Sequence, residues 1–354
     1  MAIVINGSGT VTGISVGGLP DGIVDAGTLA TDSVDSAELI DGAVDASHLA
    51  SISNRKNFII NGGFDVWQRG ISFDNDEYGA DRWKMYSPGS HAYARSTDVP
   101  TAASPRFKYS ASITGSGDGT GFKQYIESAN SSRLLGQDVT ISFWLKHTTG
   151  SGTDKFKAQF YTLNTLDNGS SGTTIGSATL FTSTTSWAKY TTTFTDLPAN
   201  TVNGLQLTLK YNGTGSTVAL ITGVQVELGS VATDFEQRSY GEELALCQRY
   251  YEIIGGTAAA SYDFMFTGAN WTTTNSRFGV QWNVTKRTSP TVTSVGTWYA
   301  RNTSGASLSV TGKAFDDPSP YGVAPYVTVG SGLTAGYASQ IWAADGKIMA
   351  DAEL

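Results

Sequence analysis

The amino-acid sequence predicts a mainly β protein that assembles as an elongated homotrimer. Charged residues make up only 15 % of the 354 residues, whereas glycine occurs 41 times and serine and threonine are abundant. This composition is typical of β-rich proteins with many loops. Several segments alternate apolar and polar residues, which is the period of a half-buried strand. Near the N-terminus, a ten-residue repeat indicates that several chains share one core.

The N-terminal part divides into an extended arm at residues 1–19 and a repeat array at residues 20–50. In each of three units, a Val-Asp pair precedes a leucine: Val24-Asp25-Leu29, Val34-Asp35-Leu39 and Val44-Asp45-Leu49. One apolar residue every five positions matches neither a helix face nor a strand face. A single chain cannot bury such a stripe. The array is therefore either a disordered acidic linker or, as we favour, the stalk of a trimer.

Residues 51–237 form a block that we predict to be a β-sandwich. In QDVTISFWLKH, residues 137–147, every second residue is apolar, which gives the strand one apolar face: Val139, Ile141, Phe143 and Leu145. Similar strands follow, separated by clusters of Asn, Gly, Ser and Pro and by no helical crossover. Trp144 lies on the opposite face. Its ring is either a platform for a sugar or packed under a loop or a neighbouring subunit.

One connecting helix is predicted at residues 238–254. Ser239 is followed three residues later by Glu242, which is the spacing of a capping box. Leu244, Cys247 and Tyr251 then have the spacing of a short heptad seam. We expect this seam to meet its copies at the trimer axis, where mild oxidation of Cys247 would cross-link pairs of subunits. Packing of the helix against the chain's own sandwich is the alternative.

Several classes of function are disfavoured. The net charge of −8 argues against nucleic-acid binding, which depends on Lys and Arg at the phosphates. No segment has the ~20 apolar residues of a membrane span, and the N-terminus does not have the pattern of a secretory signal. The three histidines are scattered, and no Gly-x-Ser-x-Gly motif accompanies them. We therefore expect a protein that is not an enzyme and that has no cofactor or metal.

Parts of the chain resemble the tail-fibre and receptor-binding proteins of tailed bacteriophages. The most specific part is ELALCQRYYE at residues 243–252, and further similar stretches are NFIINGGFDVWQRG, ADRWK and the ending DGKIMADAEL. Residues 57–237 also resemble the carbohydrate-binding modules attached to xylanases, which implies a jelly-roll β-sandwich. Some of those modules hold a structural calcium ion, and Asp65 occupies the acidic position of their opening strand. Val224 and Gln225 replace the aspartates of their closing strand, so we expect no metal here.

The resemblance implies a virion fibre that is assembled in the host cytoplasm and forms a homotrimer. Its N-terminus is expected to attach to the virion tail or another particle protein, and its distal part to bind a bacterial surface polysaccharide without cleaving it. Two alternatives stay open. One is a polysaccharide depolymerase carried on the same stalk, and the other is a fibre or decoration protein of the virion head.

The C-terminal domain, residues 255–354, is predicted to be a β-sandwich tip that recognises the receptor. In a fibre held by its N-terminus, this domain lies farthest from the particle. Aromatic rings suit the flat C–H faces of sugars when hydrogen-bonding groups lie beside them, although any single ring can equally belong to the core. The candidate glycan-binding residues are Trp271, Trp282, Trp298 and Tyr299. We expect that deletion of residues 255–354 abolishes binding to host cells.

Overall fold

The structure is a computed structural model with two compact units, Met1–Asn54 and Arg55–Leu354. It describes residues 4–5, 11–12, 57–74, 77–86, 91–103, 106–116, 119–149, 155–212, 216–256 and 264–354. In the first unit, β1 (Val4–Ile5) pairs antiparallel with β2 (Val11–Thr12). The predicted stalk at residues 20–50 and most of the predicted arm at residues 1–19 lie outside the described residues.

Residues 57–228 form two antiparallel sheets. The strands are β3 Ser72–Asp74, β4 Lys84–Tyr86, β5 Ala92–Ser96, β6 Ser110–Ser116, β7 Gly121–Ile126, β8 Val139–Thr149, β9 Lys155–Thr165, β10 Asn168–Thr182, β11 Ala188–Phe194, β12 Leu205–Tyr211 and β13 Ser216–Leu228. One sheet has the strand order β10-β9-β12-β7-β4, and the other has the order β11-β8-β13-β6-β5-β3. A short helix α1 (Ser128–Ser131) and two 3₁₀ helices (Ser132–Leu134 and Ala199–Asn203) connect strands. This part of the chain is called the sandwich below.

The alternation of β8 explains how the sandwich forms its core. Val139, Ile141, Phe143 and Leu145 are all fully buried between the two sheets, as the period of two predicts. Trp144 is half-buried on the outer face. The segment after β13 covers part of that face, since Thr140 donates its hydroxyl to Gly229 O at 2.6 Å. The predicted strand is therefore confirmed, and its outer face is partly covered by the chain itself.

Helix α2 (Tyr240–Gln248) begins with the predicted capping box. The Ser239 side chain accepts from the Glu242 amide, and the Glu242 carboxylate accepts from the Ser239 amide. The predicted heptad seam is not formed, because the helix ends at Gln248 and Tyr251 begins the next strand. Cys247 is fully buried in an apolar cluster with Ile60, Val66 and Tyr250. The helix thus packs against the chain's own sandwich, which corrects the expectation that Cys247 lies at a trimer axis.

The C-terminal part is an eight-stranded antiparallel sheet whose strand pairing closes on itself. The strands are β14 Tyr251–Gly255, β15 Phe264–Asn270, β16 Asn275–Arg277, β17 Val280–Gln281, β18 Thr291–Arg301, β19 Ser307–Ser319, β20 Gly322–Val329 and β21 Ala338–Asp351. The pairs run β18–β21–β15–β16–β20–β19 and return to β18. We call this part the barrel. Its closed pairing differs from the predicted pair of stacked sheets.

The length of β21 makes this closure possible. Its 14 residues pair with β15 and then with β14 along one edge, while β18 pairs along the other edge. The core of the barrel is apolar and includes Trp298, Ile341 and Ile348. No helix within the described part of the chain is long and apolar enough to cross a membrane.

Two arginines, the buried Arg82 and the partly buried Arg69, join the sandwich to the end of the chain. Arg82 forms an ion pair with Glu353, and its guanidinium lies 3.4 Å from the centre of the Tyr250 ring. Arg69 lies 3.3 Å from the Asp351 carboxylate and 3.5 Å from the centre of the Tyr251 ring. Arg69 belongs to the stretch NFIINGGFDVWQRG and Arg82 to the stretch ADRWK. These stretches therefore hold the sandwich, α2 and the barrel together.

Candidate functional site

A polar groove of about 260 Å³ lies on the outer face of the five-stranded sheet. We call it the tyrosine groove, and it is lined by Tyr86, Lys123, Tyr161, Gln206, Thr208, Lys210 and residues 169–172. The alternation of β12 positions three of these side chains. Leu205, Leu207, Leu209 and Tyr211 enter the core, so Gln206, Thr208 and Lys210 lie on the opposite face.

Cross-strand register brings the two tyrosines to this face. Tyr161 on β9 is the partner of Gln206 on β12. Tyr86 on β4 and Lys210 on β12 both pair with Gly121 on β7, one from each side. Because Gly121 has no side chain, its position leaves the space between Tyr86 and Lys210 unfilled. An added Cβ at Gly121 would lie 2.3 Å from Leu209 O, so the backbones also require glycine here.

Contacts within the groove hold its rings in place. The Lys123 ammonium lies 5.0 Å from the centre of the Tyr86 ring and 5.8 Å from that of Tyr125. The Tyr125 hydroxyl donates to Gly169 O at 3.1 Å, which fixes the start of β10 along one side of the groove. Gln206 Nε2 donates to Thr208 Oγ1 at 2.9 Å. The groove is therefore organised before a ligand enters it.

The tyrosine groove offers neutral hydrogen-bonding groups from its Tyr, Gln and Thr side chains and cationic donors from its lysines. Burial, followed by the neighbouring Tyr86, raises the pKa of Tyr161 above its ordinary value. Its phenol is therefore protonated at neutral pH and can donate a hydrogen bond. The lysines donate, and the side-chain amide of Gln206 both donates and accepts. These groups can bind the hydroxyls of a sugar while the rings contact its C–H faces.

Two of the four rings predicted to bind glycan are buried in the structure. Trp282 is 7 % exposed and Trp298 is 1 % exposed, and both belong to the core of the barrel. Their indole N–H groups are satisfied internally. That of Trp282 donates to Ser319 O at 3.1 Å, and that of Trp298 donates to Val295 O at 3.0 Å. Neither ring offers a face to a ligand, so of the two roles that the sequence left open for Trp282 and Trp298, the structure shows the core role.

The other two predicted rings contact different residues. Tyr299 stacks on its cross-strand partner Trp342, with ring centres 4.3 Å apart and planes inclined by 19°. Trp271 follows β15 and is 66 % exposed, with the Arg277 guanidinium 4.5 Å from its ring centre. Of the predicted residues, Trp271 alone presents a large exposed ring.

The residues of the tyrosine groove were not singled out from the sequence. A signal was present, because GLQLTLKY places Gln206, Thr208 and Lys210 on the polar face of a clear alternating strand. Their partners Tyr86 and Tyr161 come from strands far apart in the chain. Only the strand order brings them together, and the sequence does not show that order.

The opening segment of the sandwich, residues 57–66, lies beside the closing strand β13 as the resemblance implies, although it is not a regular strand. The Val224 amide donates to Gly62 O at 2.9 Å, and the Phe58 amide donates to Val226 O at 2.9 Å. Asp65 lies close by, and burial, with Glu243 as the second cause, raises its pKa to about 6. Within the described residues, no group of three or more His, Cys, Asp or Glu side chains is placed to hold a metal ion.

Comparison with known proteins gives matches among solved structures only. No protein-family model matches the chain, and no curated protein matches it. The CBM22-1 xylan-binding domain of Paenibacillus barcinonensis Xyn10C is 17 % identical, with a TM-score of 0.30 over 46 % of this chain and 95 % of that domain. The C-terminal family 22 carbohydrate-binding module of Clostridium thermocellum Xyn10B is 12 % identical, with a TM-score of 0.32 over 48 % and 100 %.

A phage protein is also among these structures. The enzymatically active domain of tailspike protein 4 from bacteriophage CBA120 is 16 % identical, with a TM-score of 0.33 over 49 % of this chain and 21 % of that one. The solved structures that this chain is similar to thus include carbohydrate-binding modules and a phage tailspike.

Proposed function

We propose that this protein binds a glycan in the tyrosine groove and does not cleave it. The observation that carries the proposal is the convergence of Tyr86, Tyr161, Gln206 and two lysines on one groove of about 260 Å³. Rings supply contacts for C–H faces, and the amide and ammonium groups supply hydrogen bonds for hydroxyls. Because several strands of one sheet hold these groups, a sugar would bind with little ordering of the protein.

Affinity gel electrophoresis tests the proposal on the full-length chain. The gels contain a soluble polysaccharide: arabinoxylan, β-1,4-galactan or an extracellular polysaccharide from a candidate host. We expect retardation by at least one of them, and Tyr86→Ala and Tyr161→Ala each to weaken it by roughly tenfold. Tyr321→Ala is the matched control, since that ring is 72 % exposed on the barrel and outside the groove. Tyrosine variants that are retarded like the unaltered protein contradict the proposal.

We further propose that the chain is a homotrimeric virion fibre of a tailed bacteriophage. The support lies in the sequence, in the five-residue spacing of the array at residues 20–50 and in the resemblance of ELALCQRYYE to tail-fibre proteins. The N-terminus would attach to the tail or another particle protein, after assembly in the host cytoplasm. Light scattering of the full-length chain is expected to give three times its mass of 37.4 kDa, and a monomer mass contradicts the trimer.

Binding without cleavage has its own test. The protein is incubated with the polysaccharide that retards it, and the length of the polysaccharide chains is measured. We expect no shortening. Shortened chains would establish the alternative of a fibre-borne depolymerase, and labelling of virions with an antibody against this protein would distinguish a tail fibre from a head fibre.

A further inference from the structure

The outer face of the barrel carries a second aromatic surface, separate from the tyrosine groove. Its centre is Trp271, the first residue of the turn between β15 and β16. Arg277 and Tyr326, which are cross-strand partners on β16 and β20, lie beside it, and Asp316 on β19 completes it. We call these four residues the tryptophan shelf.

Hydrogen bonds hold the backbone on both sides of Trp271, although its ring is exposed. The Trp271 amide donates to Asn275 O at 2.9 Å, and the Thr272 hydroxyl accepts from the Asn275 amide at 2.9 Å. On the other side, the Asn270 amide donates to Tyr337 O at 2.8 Å. A ring that is 66 % exposed on such a fixed turn loses little conformational freedom when a ligand binds it.

Arg277 lies beside the Trp271 ring and forms an ion pair with Asp316. Its guanidinium carbon lies 4.5 Å from the centre of the Trp271 ring and 5.8 Å from that of Tyr326. Its Nη2 donates to Asp316 Oδ2 at 2.9 Å. Both side chains are partly exposed, at 43 % for Arg277 and 38 % for Asp316. A donor and an acceptor for further hydrogen bonds thus lie next to an exposed apolar ring.

We propose that the tryptophan shelf binds one pyranose residue of a glycan. The C–H face of the sugar would pack on Trp271, while two vicinal hydroxyls would bind Arg277 and Asp316, one accepting and one donating. A protein partner fits less well, because the residues next to the ring are Thr272, Thr274 and Asn275 and a protein interface has an apolar core of several side chains. This site is independent of the tyrosine groove. Two sites on one chain strengthen binding to a polymer through effective concentration.

Fluorine NMR of the full-length chain labelled with 5-fluorotryptophan tests the site. The chain has eight tryptophans, and the resonance of Trp271 is assigned with Trp271→Phe. The probes are the methyl glycosides of glucose, galactose, mannose and xylose. We expect at least one of them to shift the Trp271 resonance in a saturable way, and Asp316→Asn to weaken that affinity roughly tenfold. No saturable shift with any of the four, or an unchanged affinity in Asp316→Asn, overturns the proposal.

The same experiment separates this site from the tyrosine groove. No tryptophan is among the described residues that line the groove, so the Trp271 resonance reports on the shelf alone. Tyr86→Ala and Tyr161→Ala should leave the response of Trp271 unchanged. A response that disappears in these variants would mean that the shelf has no site of its own, and it would overturn the proposal.

Discussion

At the scale of one residue, Asp65 is expected to give the clearest dependence of stability on pH. Burial, then the charge of Glu243, raises its pKa from 3.8 to about 6, while Lys108 acts in the opposite direction. Between these two pH values the folded state binds more protons than the unfolded state. The contribution of Asp65 to stability is therefore fully present below about pH 4 and is lost as the pH rises through about 6.

We expect Asp65→Asn to stabilise the protein at pH 7.5 by roughly 1–2 kcal/mol, after allowance for the partial exposure of the carboxylate. At pH 3.5, where the aspartate is mostly protonated in both states, the difference between the variant and the unaltered protein should nearly vanish. Urea unfolding at the two pH values measures the difference. A destabilisation at pH 7.5 would instead show that the ionised carboxylate has a stabilising partner.

Cys247 is the second residue with a distinctive environment. It is fully buried, and burial raises the pKa of its thiol well above the ordinary value, with Asp81 and Glu243 adding to the effect. A thiol that is buried and protonated reacts slowly. We expect Ellman's reagent to leave the native protein unlabelled and to label one thiol per chain after unfolding in urea. Fast labelling of the native protein would mean that Cys247 is accessible, as the prediction of a trimer seam required.

At the scale of the element, local patterns could be predicted from the sequence and long-range pairing could not. The alternation in β8 and the capping box of α2 each depend on residues a few positions apart, and both are confirmed. The closure of the barrel depends on the pairing of β18 with β21, in which the partners run from Arg301 with Gln340 to Thr291 with Asp351. The burial of Trp282 and Trp298 follows from that closure, so composition alone could not separate them from the exposed Trp271.

Substitution of Arg82 tests how much the contact between the sandwich and the end of the chain stabilises the protein. Its guanidinium pairs with Glu353, donates Nη2 to Tyr125 O at 2.6 Å and lies over the Tyr250 ring. Because both partners of the ion pair are buried, we expect Arg82→Ala to lower the free energy of unfolding by about 3–5 kcal/mol. The control is Arg277→Ala, whose ion pair with Asp316 is exposed and should be worth less than about 1 kcal/mol. Equal effects of the two substitutions in urea unfolding would contradict this account.

At the scale of the whole molecule, direct contacts join the sandwich to the end of the barrel. The last residues of the chain contact the sandwich through Arg82 and Tyr78, and the turn after α2 through Tyr250. The Tyr78 hydroxyl donates to Leu354 O, and the Ala352 amide donates to Tyr250 O. Deletion of residues 255–354 would remove these contacts. Loss of host binding after that deletion would therefore not locate the glycan site, and single substitutions are the better test.

Hydroxyl-radical footprinting of the full-length chain locates the glycan most directly. The protein is oxidised with and without the polysaccharide that retards it in gels, and each modified side chain is identified by mass spectrometry. We predict that the polysaccharide protects Tyr86 and Tyr161, whereas Tyr321, which is 72 % exposed, is oxidised equally in both samples. Saturating polysaccharide that leaves Tyr86 and Tyr161 as reactive as in the free protein would contradict binding in the tyrosine groove.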